Sequence, residues 1–515
     1  MQTATRIPAL DSTLRPLASR DFDYWKAHHL LVRAGFGGTP EEVRSLAAMG
    51  LDDAVDHLVD YRSIPAEPVA ADTFDKDIMR PATTQERQAA RRARTRGDEA
   101  ALERFRRDRQ RRQQADRRQM RAFQRWWLRR LIETERPLEE KMTLFWHGHF
   151  ATGYRTIEDS YHMFQQNQLF RRFAVGNFKQ LAHAIIHDPA MLRYLNNNRN
   201  VWRRPNENLA RELMELFTLG EGNGYTEDDI KQGARALTGY TYRDDAFEFR
   251  AEQHDDGPKR ILGRTGPWDG DDFIDIIFTQ NYVSEYICLK LYRWFVHDLP
   301  DGPGGPTTAF LRRMARDFRQ HDYNVKPLLR SLFRSRHFYH PTNVAAQIKS
   351  PIQLIAQSIR SLGTPPRDFG TLLEAAALMG QNIGHPPSVK GWDGGRAWIN
   401  TATMFVRHNV LLYLMTGRGA DVSARRRRDE PSARPDRNRP FDADHLIAHL
   451  RGTDGRVDAD EATLYLLRFT LGGEPHPDRV ELLRSFVNRR GGRLEGPMMT
   501  AALALIATMP EFQLC

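Results

Sequence analysis

Residues 205–220 read PNENLARELMELFTLG, and this stretch fixes the kind of core the chain must build. At about 100° per residue, Asn208, Arg211, Glu212 and Glu215 fall within one arc. Leu209, Ala210, Leu213, Met214, Leu216 and Phe217 fill the other side. Such a helix must bury its apolar side, most simply against other helices. Its polar side holds two carboxylates, an amide and a guanidinium in register. The segment therefore predicts both helix-on-helix packing and a candidate site.

The rest of the chain repeats the helical pattern. Residues 21–36 form a helix that stops near Gly35 and Gly37, and Thr39 with Pro40 starts another. Pro137 opens a helix through Leu144 and Phe145. Thr226 caps a helix to Leu237, with Asp229 in the reciprocal capping position. Residues 158–186, 272–296, 307–320, 325–335, 344–362 and 370–381 continue the pattern. Strands are expected only at 240–263, where TYRDDAFEFR alternates and KRILG follows a turn at Asp256-Gly257-Pro258. No internal repeat is evident. The expected class is mainly α: a multi-helix body, a small β-hairpin near 240–263 and a protruding basic helical arm. The expected division is an N-terminal helical region (1–85), an Arg-rich arm (86–130), a main helical body with the candidate site (131–416), a disordered linker (417–440) and a C-terminal helical region (441–515).

The net charge of +10 is concentrated in two places. Glu86 to Arg130 holds 17 Arg against 6 acidic residues, and Gly417 to Pro440 holds 8 Arg against 4. The remainder is net acidic, so basicity describes two segments and not the whole chain. The first is strongly helix-forming, with few apolar residues before Met120. It reads as a solvated helical hairpin turning near Gly97 and docking through Phe123, Trp126, Trp127, Leu128 and Leu131. A polyanion footprint is the functional alternative, although Phe105 is the only aromatic residue of the segment before 123. The second segment is Pro-, Arg- and Ser-rich without periodicity, as linkers are.

No stretch approaches the roughly 20 apolar residues that span a bilayer. The first 25 residues contain no apolar leader core and no twin arginine, which favours the cytoplasm, or the periplasm if a leader has been removed. Cys288 and Cys515 make neither a disulfide framework nor a cysteine metal motif. Cys288 lies in the apolar run YICLKLYRWF and reads as a buried thiol, whereas Cys515 is expected at the surface.

Five blocks occur in order: HHLLVRAGFGGTPEEV, FWHGHFAT (145–152), NNNRNVWRRPNENLARELMELFTLGEGNGYTEDDIKQGARALTGY (196–240), HDDGPKRILG (254–263) and PPSVKGWDGGRAWINT (386–401). In these the chain resembles the bacterial family called domain of unknown function 1800, over residues 22–415 and more weakly beyond. The resemblance carries no established activity. It implies export in many members and a partner resembling the alkaline phosphatase and sulfatase class. The missing leader departs from that pattern.

The chemistry must therefore come from residues. His147 and His149 form an HxH pair, which chelates from a strand but points about 200° apart on a helix. Stacking in an aromatic helix end is the alternative. Glu207, at a helix start, joins them as a candidate ligand, as do His254 and Asp255 at a strand end. Mixed imidazole and carboxylate donors favour Zn, Mn, Fe or Mg. The reaction expected is metal-assisted hydrolysis, with Glu212 or Glu215 as base and Arg211 or Lys259 as anion clamp. Asn206, Asn208, Lys390 and Trp392 are candidates for holding substrate. Ordinary i,i+4 pairing of Arg211 with Glu207 and Glu215 is the structural alternative, as is core packing for Trp392 and Trp398. Two other classes compete: a non-catalytic scaffold or secretion-associated partner whose working surface is the arm, and a redox metalloprotein. The latter lacks the Glu-x-x-His spacing of carboxylate-bridged bundles.

Overall fold

A computed structural model describes residues 9–65, 73–365, 367–417, 441–451 and 457–515. The segment expected as a linker lies almost wholly outside the described residues. The chain is mainly α: twenty-two α-helices among the described residues, joined by turns and 3₁₀ segments. Two small antiparallel hairpins occupy the region expected to hold one. Tyr240–Arg243 pairs with Ala246–Phe249, and Lys259–Ile261 pairs with Arg264–Gly266.

Local chemistry sets the helix starts. Thr39 and Glu42, Thr83 and Glu86, and Thr226 and Asp229 each close a reciprocal capping box. Pro40 and Pro137 occupy first turns, where the missing N–H costs nothing. The basic arm is the expected hairpin. Thr84–Arg96 ends at Gly97, whose φ of 64° supplies a left-handed cap, and Asp98 caps the long helix Glu99–Glu133. Its far end docks through Phe123, Trp127, Leu128 and Leu131, all buried.

The helix Pro137–His149 is the axis of the body. Every residue in it except Gly148 is buried. Glu140, fully buried, accepts hydrogen bonds from Arg130 Nε (2.6 Å), Arg171 Nε (2.7 Å) and Trp127 Nε1 (3.0 Å). One carboxylate thus ties the root of the arm to the core, and the two guanidiniums keep its carboxyl below the usual range despite burial, which acts to raise it. The C-terminal residues return to the same body. Cys515 N–H donates to Gln347 O (2.8 Å) and Gln347 N–H donates to Cys515 O (3.2 Å). Cys515 is therefore buried, not at the surface as expected, while Cys288 is buried as expected. No helix among the described residues is long and apolar enough to cross a membrane.

Candidate functional site

The stretch that predicts a single amphipathic helix folds differently. Asn208–Glu212 is α-helical, but Leu213–Thr218 is a π-helix. Leu219 N–H donates to Met214 O (3.0 Å) and the Thr218 hydroxyl donates to Leu213 O, both five residues back. The wider turn breaks the 100° phase that places Glu212 and Glu215 in one arc. Glu215 lines a deep cleft beside the axial helix, and Glu212 does not. Glu212 is half-buried, and its side chain makes no hydrogen bond or ion pair with a described residue. Burial first, then the neighbouring Glu215, raises its carboxyl.

That cavity has a volume of about 810 Å³, within the range of ligand clefts. Three segments carry most of its charged and aromatic side chains, with residues 215–221 and 346–353 closing it. The first is the end of the axial helix, with Lys141, Phe145, Gly148 and His149. The second is one face of the helix Asn281–Phe295 and its exit, where Tyr286, Leu289, Lys290, Arg293, Trp294, His297 and Asp298 recur at three- and four-residue spacing. The third is the loop from Lys390 to Trp398. Its turn at Gly391 needs a φ of 81° and brings the backbone against the axial helix, so that Trp392 stacks near Gly148 and lies 5.6 Å from the His147 ring.

The charges in this cleft are unevenly satisfied. The side chains of Lys290, Arg293, Lys390 and Arg396 make no hydrogen bond or ion pair with a described residue. Lys290 sits over the Tyr286 ring at 5.1 Å. Burial, reinforced by Lys390 and Arg293, lowers its amine to about 8. Lys141 is different: its Nζ donates to Gly35 O (2.8 Å) and Gln353 Oε1 (2.7 Å), and burial lowers it to about 7. On the acidic side, Glu215 is held by Arg211 (3.1 Å), and Asp298 accepts from Ile348 N–H (2.9 Å). Glu221 and Asp393 complete the carboxylates.

His149 is the buried imidazole at this cleft, His297 being only half-buried. Its Nε2 lies 2.9 Å from Phe217 O and must donate to it, which leaves Nδ1 as a bare lone pair without a partner. Burial, with Lys290 nearby, keeps the ring neutral. His147 points elsewhere. Its Nε2 accepts the Gly384 N–H (2.9 Å), its ring meets Trp127, and burial pushes it down to about 3. The helix runs through both residues, so the pair does not converge and the stacked alternative describes His147.

The other expected site residues have partners of their own. Arg211 donates to Glu207 (3.1 Å), Glu215 (3.1 Å) and Glu227 (2.7 Å), the i,i+4 pairing with one further acid. Asp255 is gripped by Arg235 through both oxygens (2.7 and 3.0 Å). His254 donates from Nδ1 to Thr238 O (2.8 Å). Lys259, buried, donates to the carbonyls of Asp255 and Gly257 and is turned away from any clamp role at the cleft. Asn206 Oδ1 accepts the Asn208 N–H (3.0 Å), and Asn206 N–H donates to Asn200 Oδ1 (2.9 Å). These asparagines brace the entry to the π-helix. Among the described residues no three His, Cys, Asp or Glu side chains are placed to share a metal ion.

Of the expected site residues, His149, Glu215, Lys390 and Trp392 meet in one cleft. The residues missed are those of the Asn281–Phe295 helix. Lysine, arginine and aromatics at i, i+3, i+4 and i+7 within the run read as a buried thiol segment were the available signal.

A family model described as "Protein of unknown function (DUF1800)" matches residues 29–514. No curated protein and no solved structure matches the chain.

Proposed function

The chain belongs to the DUF1800 family, whose function is unknown, and on that premise we propose that the Trp392 cleft recognises an anionic ligand built on a ring with an apolar face, with an acidic saccharide as the best fit. One observation carries this reading: four cationic side chains with no hydrogen bond or ion pair among the described residues, Lys290, Arg293, Lys390 and Arg396, share a cleft with Trp294, Trp392 and Trp398. A cluster of unpaired cations, with Lys290 desolvated and the others at the rim, favours an anion. Indole walls favour a ring with an apolar face. Trp294 Nε1 and Trp392 Nε1 are buried donors without a partner, which suits a ligand rich in acceptors.

Hydrolysis is the reaction class we attach to the cleft, supported by the unpartnered Nδ1 lone pair of His149, an acceptor able to orient a water; burial disfavours the imidazolium, so the ring's role is positioning and not proton uptake. Metal assistance has less support, because Glu207, His147, His254 and Asp255 are engaged away from His149.

The test is calorimetric titration with sulfated, uronic and neutral oligosaccharides, beside Trp392→Ala and Lys290→Gln. Binding of acidic but not neutral sugars, weakened in both variants, is expected. Equal affinity for neutral sugars, or unchanged affinity in both variants, overturns the reading. Elemental analysis of the purified protein separates the metal version: a stoichiometric metal lost in His149→Ala would restore it.

A further inference from the structure

We infer that the Arg-rich arm is an adsorption surface for an anionic lipid bilayer, independently of the cleft. On the long helix Glu99–Glu133, Met120, Phe123 and Trp127 turn into the core. On the opposite side Arg104, Arg111 and Arg118 recur every seven residues, and Arg107 and Arg121 fall between them. At 100° per residue these five lie within an arc of about 100°, along roughly 25 Å of helix. All five are exposed. Arg104, Arg118 and Arg121 have no carboxylate partner among the described residues. Arg107 and Arg111 meet only the exposed Glu103 (3.1 Å) and Asp108 (3.7 Å), pairs that water and salt screen.

The shape of this stripe selects the partner. A straight rod charged along one side touches a flat surface along its whole length. A nucleic-acid duplex curves away from it unless the rod enters the major groove, which is about 12 Å wide. One helix fills such a groove, and here Thr84–Arg96 packs alongside the first half of the long helix. The stripe carries no aromatic residue to stack on bases. It also carries no apolar residue to insert between lipid tails, so adsorption is electrostatic and salt-sensitive.

The experiment is co-sedimentation of the full chain with phosphatidylcholine vesicles and with equimolar phosphatidylcholine–phosphatidylglycerol vesicles, at low and raised salt. The triple variant Arg104→Gln, Arg118→Gln, Arg121→Gln is run alongside, with circular dichroism to verify its fold. Binding to the anionic vesicles alone is expected, falling with salt, and weakened on the order of 10²-fold in the variant at roughly fivefold per arginine. Binding to neutral vesicles, no binding to anionic vesicles at low salt, or no change in a folded triple variant would each overturn the proposal. Release from the vesicles by duplex DNA at lower phosphate concentration than the lipid presents would assign the arm to nucleic acid instead.

Discussion

Gly391 packs directly on the carbonyl oxygen of Gly148: a Cβ at position 391 would lie 2.1 Å from that oxygen. Two sequence blocks 243 positions apart are locked together by a missing methyl group. The contact is backbone on both sides, so no side chain can swing away to relieve it. Gly391→Ala would also have to hold a φ of 81°, which costs about 1–2 kcal/mol alone. A total loss of about 3 kcal/mol or more is expected in urea unfolding. A loss below about 1 kcal/mol would mean that the loop relaxes, and that the cleft wall is not fixed by this contact.

Ligand affinity should follow the protonation of Lys290. Its amine is lowered to about 8 by burial and by Lys390 and Arg293, so the ammonium is present below that value and lost above it. Anion binding is therefore expected to be level up to about pH 7 and to weaken beyond pH 8, by on the order of tenfold. Lys290→Arg keeps its charge and should flatten the profile. A profile that stays the same in this variant would remove Lys290 from the binding site.

Acid should destabilise the fold through His147. The folded imidazole is held at about 3 by burial, against about 6.5 in an unfolded chain. The unfolded state therefore takes up the proton first. The stability contributed by the neutral ring is complete above about pH 6.5 and is lost as pH falls toward 3. Between pH 6.5 and 5 this group accounts for up to about 2 kcal/mol. His147→Gln should show a shallower decline in denaturation midpoint over that interval, and an equal slope in the two proteins would contradict the assignment.

Removing the Glu140 carboxylate should cost far more than a surface acid. Glu140→Ala leaves Arg130 and Arg171 buried or nearly so without their shared anion, and a loss of about 3–5 kcal/mol is expected. Glu103→Ala, which removes an exposed pair, should change stability by less than about 0.5 kcal/mol. Chemical denaturation of both variants makes the comparison. Similar small losses would show that the Glu140 network is not what joins arm and core.

The helical body was legible in the sequence because its signals are local. The Thr39, Thr83 and Thr226 boxes and the Gly97 turn depend on residues within a few positions of one another. The divergence of His147 and His149 was equally readable once both were placed on a helix. The site was less legible because it depends on distance. Nothing near Trp392 announces that it will lie against Gly148. The π turn needs the Thr218 hydroxyl to find Leu213 O under tertiary packing, and periodicity written at 3.6 residues per turn misses it. Lys290 was hidden for another reason: a lysine inside an apolar run reads as a tolerated interruption, and only the neighbouring segments reveal that its amine faces a cleft.

The π turn has a consequence that reaches the outside of the protein. It brings Glu215 to the cleft wall, and Arg211, half-buried like it, stays bonded to it at 3.1 Å. The same guanidinium holds Glu227, which is exposed to solvent, at 2.7 Å. A carboxylate that lines the cleft and a carboxylate on the outer surface are therefore held by one and the same cation, Arg211.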